Sequence, residues 1–244
     1  MKRLLIIAMY TLLLLMGSVA TLSLMTLTAS SAYAADTGTP INETRPAKAD
    51  GTIWVHNLAG SVKIQGWDKN QVHVTGTLGA GSKRLEINSD GDGIDIRVVL
   101  PEHTRNNVDG SDLVIEVPKA SRISVDTVSA DINADKLTGT ARLKSVSGNV
   151  KLDSTDSDIT ASSVSGDVDV TGSAANAHIN AHGISNEVRV SGVDGDLRAE
   201  SISGTVKVFG KNRLNRAQLN STSGNVEFAA ELTKGGSYTF NSTS

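Results

Sequence analysis

A pattern that returns every 18 or 20 residues constrains this chain more than any other feature. Taking the small residue of a turn as origin, the repeats centre on Ala130, Gly148, Gly166, Asn186, Gly204 and Gly224, with spacings of 18, 18, 20, 18 and 20 residues. Two and four positions after each origin stands an apolar doublet: Ile132/Ala134, Val150/Leu152, Val168/Val170, Val188/Val190, Val206/Val208 and Val226/Phe228. Seven and five positions before it stands another: Ile123/Val125, Ala141/Leu143, Ile159/Ala161, Ile179/Ala181, Leu197/Ala199 and Ala217/Leu219. Period-two doublets describe strands with one buried face, so each repeat carries two short strands.

Between the doublets lies a corner whose middle residue is Val128, Val146, Val164, Ile184, Ile202 or Thr222, mostly flanked by serines. The step into the corner is odd, so the apolar residues cannot keep one alternating phase and the chain must bend. A small residue at the origin suits that bend, because Gly reaches backbone angles closed to other residues and Asn tolerates them next best. Repeats of this length mark a solenoid whose coils bury their apolar edges only against their neighbours. The expected fold is therefore all-β: a single-stranded parallel β-helix with an amino-terminal β cap. An antiparallel meander built on Ser-Gly-Asn hairpins is the rival, and it is disfavoured because an apolar corner residue needs a core to enter.

The outward column Lys151, Asp169, Arg189, Lys207 and Glu227 tests the register, since stacked rungs about 4.8 Å apart would make most neighbours opposite in charge. Ser147, Ser165, Ser185, Ser203 and Ser223 form a second column, read as turn chemistry rather than catalysis.

Taken in order, residues 1–34 read as a signal peptide: Lys2 and Arg3, an uncharged run, then Ala32-Tyr33-Ala34 before Ala35. The run is long enough to leave a retained amino-terminal anchor open. With no cysteine, neither a lipidated cysteine nor a disulfide framework is available. Cleavage after Ala34 removes Lys2 and Arg3 from the 23 basic residues, leaving 21 against 26 acidic ones, a net of −5 that argues against a nucleic-acid surface. Residues 35–50 read as a flexible leader. Residues 51–120 read as the first coil (Ile53/Val55, Leu58, Gly60, Val62/Ile64) and a cap of alternating strands with an Asp90-Gly91-Asp92-Gly93 turn. Residues 121–244 are the β-helix repeats. They are expected to be truncated at the carboxyl end, because Tyr238/Phe240 and Thr243 begin a coil whose origin does not follow.

The segment NLAGSVKIQGWDKNQVHVTGTLG from Asn57 to Gly79, then RLEINSDGDGIDIRVVLP and the recurring SVSGNV and SISGTV units, resembles a bacterial family of putative adhesins. That family is a domain of unknown function akin to the head domains of autotransporter adhesins. The resemblance spans about Gly51 to Ser244 and implies an exported, cell-envelope protein with β-helical repeats. It brings no catalytic residues with it.

The chemistry that can be sought in the residues is sparse. The histidines are His56, His73, His103, His178 and His182, and only the last two are close in sequence. A strand end and a turn between those two argue against a metal pair, and no cysteine offers a further ligand. Asp153, Asp156 and Asp158, with Asp167 and Asp169 one coil on, fit solvated turns better than a calcium site, since the glycine-aspartate nonapeptide of calcium-binding β-helices is absent. Trp67, beside Asp68, is read as cap packing rather than a sugar platform. No phosphate loop, nucleophile elbow or zinc-helix signature occurs.

No catalytic, cofactor-binding or metal residue is assigned, and no cofactor is expected. The reading is a non-enzymatic, exported protein of the periplasm or cell surface, acting as a binding, adhesion or scaffolding surface. Its expected partners are a cell-envelope or surface protein or a glycan, and a second copy at the open solenoid end. The membrane enters only if the leader is uncleaved. Two alternatives stand beside it: a carbohydrate-active β-helix enzyme, and a membrane-anchored envelope-stress accessory. The mark of the enzyme would be a groove gathering two acidic side chains with a basic one.

Overall fold

The computed structural model describes residues 38–243 apart from 92, 103–107, 155–157 and 173–176. Residues 1–34, read from sequence as a signal peptide, His103 and Asp156 lie outside the described residues. Sixteen strands in chain order build one sheet system: β1 (Thr39–Pro46), β2 (Thr52–Trp67), β3 (Gln71–Leu78), β4 (Arg84–Asp90), β5 (Gly93–Val99), β6 (Ser111–Pro118), β7 (Arg122–Leu137), β8 (Ala141–Ser145), β9 (Val150–Ser154), β10 (Ile159–Ser163), β11 (Val168–Gly172), β12 (Ala177–Gly183), β13 (Val188–Ser191), β14 (Asp194–Ser201), β15 (Val206–Ser221) and β16 (Val226–Ser242).

Each repeat contributes a rung to two parallel stacks. The first runs β5, β2, β7, β8, β10, β12, β14, β15, β16; the second runs β6, β2, β7, β9, β11, β13, β15, β16. The pairing between coils is parallel and keeps the predicted doublets in register, with Ile159 opposite Ile179 and Val168 opposite Val188. That excludes the meander. In the 20-residue coil that begins at Gly204, β15 and β16 pair with register shifts between Phe209 and Arg213 and between Leu214 and Arg216. Among the described strands the antiparallel pairs are β1–β3, β3–β6 and β4–β5, all at the amino-terminal side of the stacks.

Residues 39–46, expected within a flexible leader, instead form β1 along β3. Their one buried apolar side chain is Ile41. Backbone pairing over the whole strand supplies what the apolar pattern lacks, and this is why periodicity missed it.

The core is narrow and aliphatic. Paired large and small residues such as Ile159 with Ala161 and Leu197 with Ala199 face the valine doublets of the second stack, all of them buried. A third inward column closes each coil between the second strand and the next first strand, where Leu137, Val193 and Leu214 are fully enclosed. Among the described residues, aromatic side chains take doublet positions only at β16, where Phe228 packs on Phe240 at 4.8 Å and the Tyr238 hydroxyl donates to Leu214 O at 2.6 Å.

Two expectations about the corners are corrected. The corner residues do not enter the core: Leu58, Val128, Val146, Val164 and Ile202 are 38–45% exposed. The bend turns them outward, so what establishes parallel pairing is the inter-coil register and not corner burial. Nor do the origin glycines 148, 166, 204 and 224 use left-handed backbone, since only Gly60 in this column has a positive φ, of 103°. They are glycines because neighbouring coils touch there. A Cβ on Gly166 would stand 2.2 Å from Gly148 O, and one on Gly224 2.1 Å from Gly204 O.

That close approach is stapled by serines three residues before Gly148, Gly166, Gly204 and Gly224. Ser163 Oγ donates to Gly148 O at 2.9 Å and accepts Gly166 N–H at 3.0 Å; Ser145 does the same with Ala130 O and Gly148 N–H, as does Ser201 with Asn186 O and Gly204 N–H. Each of these hydroxyls is buried and spans two coils. The serines singled out in the sequence, Ser147 and its column, lie outside, and their backbone N–H groups bond the corner carbonyl of the preceding coil. A second ladder follows the origins: Asp131 accepts Asn149 N–H, Asn149 accepts Asp167 N–H, and Asp167 accepts Glu187 N–H, at 2.8, 2.9 and 3.1 Å.

The charge column is in register, with Asp169 between Lys151 and Arg189 and Lys207 opposite Glu227. Glu187, from the neighbouring column, gathers Lys207 at 2.8 Å and Arg189 Nε at 3.0 Å. Its hydrogen bond to Lys207 lowers the carboxyl below its ordinary value against the opposing effect of burial. A lowered acid stabilises the fold above its unfolded value and loses that contribution as pH falls through its folded value. The Glu187 side chain is 27% exposed, so the effect is about 1 kcal/mol or less. Glu187→Gln should lower the urea midpoint at pH 7, and the gap should begin to narrow as pH falls below the ordinary carboxyl value of about 4.3. A gap that did not narrow with falling pH would assign it to packing.

Candidate binding surface

Alternation decides which side chains the first stack offers to solvent. Because Ile159, Ile179, Leu197 and Ala217 point inward, their neighbours on either side point out. One outward row is Asp158, His178, Asp196 and Arg216; the next is Thr160, Asn180, Arg198 and Gln218, each aligned by parallel pairing. These eight residues line a shallow groove of about 400 Å³ across four coils, with Ile159, Ile179 and Leu197 at its floor.

Its electrostatics are balanced. The His178 ring lies between two carboxylates, with Nδ1 3.4 Å from Asp158 Oδ1 and Nε2 3.8 Å from Asp196 Oδ2. Arg198 pairs with Glu200 at 2.9 Å, and Asn220 donates to the same Glu200 oxygen at 2.8 Å. Burial raises the Glu200 carboxyl, but those two hydrogen bonds outweigh it and hold the acid below its ordinary value. Asn241 extends the row by donating to Asn220 Oδ1 at 3.0 Å. The result is a run of fixed donors and acceptors repeating at the rung spacing, suited to an extended polar ligand.

The residues weighed from sequence are scattered. No strand end or turn intervenes between His178 and His182, which share β12 and one face, but three intervening residues hold them about 13 Å apart along the strand. Asp153 sits on β9 in the second stack while Asp158 precedes β10 in the first. Asp167 is engaged in the backbone ladder. Among the described residues no group of three His, Cys, Asp or Glu could hold a metal ion. Trp67 packs at the turn after β2: Nε1 donates to Gln71 O at 2.9 Å, the ring stacks on His73 at 6.3 Å, and Lys69 Nζ lies 4.4 Å from its centroid. Gly66 before it makes way for β7, since a Cβ there would meet Lys136 O at 2.0 Å.

The outward rows were legible only as gaps between doublets. Asp158, His178, Asp196 and Arg216 each stand one position before a first-strand apolar residue. That fixed offset was the signal available.

A family model described as Toastrack DUF4097 matches residues 52–244. No curated protein matches the chain. Among solved structures, a putative cell adhesion protein from Clostridium sporogenes is similar over 79% of this chain and 100% of its own, at 12% identity and a TM-score of 0.43. A putative adhesin from Bacteroides fragilis is similar over 83% and 97%, at 17% identity and a TM-score of 0.40. A putative lipid binding protein from Parabacteroides distasonis is similar over 82% and 97%, at 14% identity and a TM-score of 0.32.

Proposed function

The chain belongs to the Toastrack DUF4097 family, and from that premise we propose that it is an exported, non-enzymatic binding protein of the cell envelope. In this reading the stacks are a parallel β-helix, and β1 with β3 to β6 cap its amino-terminal side. The observation that carries the proposal is the groove of His178, Arg198 and Arg216 with their aspartates, which offers hydrogen-bonding groups at a regular spacing without a closed cavity. A repeating surface recognises a repeating or extended partner, such as an envelope glycan or a surface protein. Export rests on residues 1–34. Among the described residues no helix is long and apolar enough to cross a membrane.

The enzyme alternative draws on the same groove, which does gather Asp158 and Asp196 with Arg198 and Arg216. Two features weigh against it. Asp158 is 72% exposed, whereas a carboxyl serving as general acid is usually desolvated to raise its pKa. Both aspartates also face one imidazole rather than an open position for a scissile bond.

The test is retention of the exported full chain on immobilised envelope fragments and purified peptidoglycan, with soluble products monitored in parallel. Retention should fall about tenfold or more in His178→Ala/Arg198→Ala/Arg216→Ala, whose exposed substitutions should leave the unfolding free energy within about 0.5 kcal/mol of the parent. Unchanged retention would remove the groove from the function. Time-dependent release of small fragments, abolished by Asp196→Asn, would establish the enzyme instead.

A further inference from the structure

The same outer face carries a second pocket at its amino-terminal end, and the geometry points to a subsite for a neutral pyranose ring stacked on Trp54. This deepens the binding reading above and rests on it for the identity of the face, though its residues are separate from the groove.

The pocket, about 370 Å³, is lined by Trp54, His56, Asn88, Asp90, Gly93 and Asp95. Pairing across three strands brings them together: Asn88 on β4 lies opposite Asp95 on β5, and Asp95 opposite Trp54 on β2. The adjoining rows place Asp90 opposite Gly93 and Arg97 opposite His56. None of this is sequence-local.

Trp54 sits on the outer face of its strand and is 41% exposed. The benzene half of its ring leans over Gly93, where a Cβ would come within 2.3 Å of Cζ3. Covering a strand glycine with an aromatic ring is a known structural device and explains what one side of the indole touches. It does not explain why polar groups surround the exposed remainder. Asp95 Oδ1 is enclosed at the pocket wall, 3.6 Å from His56 Nε2 and without a hydrogen bond, while Oδ2 lies 3.4 Å from Arg97 Nη2. An enclosed acceptor without a hydrogen bond marks a network that a ligand or a small side-chain movement would complete.

The chemistry selects the ligand class. An indole face offers apolar, polarizable area, and a pyranose presents C–H groups on its faces with hydroxyls around its rim. Asn88 can donate and accept, Asp90 and Asp95 accept, and His56 can do either, which matches rim hydroxyls. The six lining residues include two carboxylates and neither Lys nor Arg, so uronates and phosphorylated sugars are disfavoured. Trp67 offers no equivalent, because its ring is already engaged by His73 and Lys69.

The experiment uses the two tryptophans as reporters. Tetra-N-acetylchitotetraose, cellotetraose and maltotetraose are titrated into uniformly labelled mature protein while the indole N–H resonances are followed, assigned through Trp67→Phe. At least one tetrasaccharide should shift the Trp54 indole and not that of Trp67, with Kd in the range of about 0.1–10 mM expected for a single platform. Trp54→Ala and Asn88→Ala should each weaken binding about tenfold or more, and Gly93→Ala should do so by pushing the ring aside while keeping the indole. Polygalacturonate should leave Trp54 unmoved. A tetrasaccharide that shifts only resonances around His178 and Arg198 would overturn the subsite and leave the groove reading intact. Silence at both places, with envelope retention preserved, would overturn the subsite alone; silence with no retention would overturn both. A shift of Trp54 by tetramethylammonium but by no sugar would overturn it in favour of a cation site.

Discussion

Gly166→Ala should destabilise the protein by about 3 kcal/mol or more, a larger cost than one methyl group normally carries. The added Cβ would lie 2.2 Å from Gly148 O, 2.4 Å from Gly148 C and 2.8 Å from Asn149 N, all backbone atoms. Moving a side-chain end would be cheap, but moving this backbone is not. Gly148 O accepts Ser163 Oγ, Asn149 Oδ1 accepts Asp167 N–H, and Val150 N–H bonds Asp167 O at 2.8 Å. Relief of the clash must stretch these bonds together, and each buried group left unpaired adds about 1–3 kcal/mol. Because coils are stabilised mainly by their neighbours, loosening one interface should also broaden or split the urea transition. Gly91→Ala is the matched control. Gly91 has φ 57° and nothing within 4 Å of a built Cβ, so only backbone strain of about 1–2 kcal/mol is expected there. If Gly166→Ala cost no more than Gly91→Ala, the close approach of coils would not be what selects glycine at the origins.

The contrast between those two glycines shows what could be read in advance. Doublet spacing carries phase and register, since apolar side chains repeat wherever two faces alternate, and Ile123 to Leu219 all fell where that pattern put them. It says nothing about distance between coils. A turn glycine therefore looked like a backbone-angle residue when its neighbour's carbonyl was the cause. Val146 and its column misled for a related reason: hydrophobicity reads as burial, yet a corner exposes whatever it carries. The stapling serines differ from their exposed neighbours by two positions in the same SVSG unit, and only the three-dimensional bend tells Ser145 from Ser147. The proposed binding face was harder still. Asn88, Asp95 and Trp54 are brought together by mixed antiparallel and parallel pairing at the amino-terminal side of the stacks, where no repeat predicts who is opposite whom.

One coil breaks the serine rule in a way that predicts a coupling. Position 183 lies in register between Ser163 and Ser201, yet it is glycine, and the origin three residues later is Asn186 rather than glycine. The two departures compensate, because a Cβ on Gly183 would stand 2.0 Å from Asn186 Oδ1: the asparagine side chain fills the seat of the missing hydroxyl. It fills it poorly, since neither Asn186 Oδ1 nor Nδ2 has a hydrogen-bond partner although both are buried. Gly183→Ser alone should cost about 1–3 kcal/mol through crowding. Asn186→Gly alone removes two unpaired polar atoms but leaves a void and a more flexible chain, so its net effect should be within about 1 kcal/mol. Together they should restore the staple, with the introduced hydroxyl donating to Gly166 O and accepting the N–H at position 186. The double variant should then exceed the parent by about 1 kcal/mol, giving a coupling of roughly 2–4 kcal/mol between contacting sites. Urea midpoints of the four proteins in the cycle measure it. Strict additivity would mean that the asparagine does not occupy the serine's place, and that the ladder's continuity across this coil rests on backbone pairing alone.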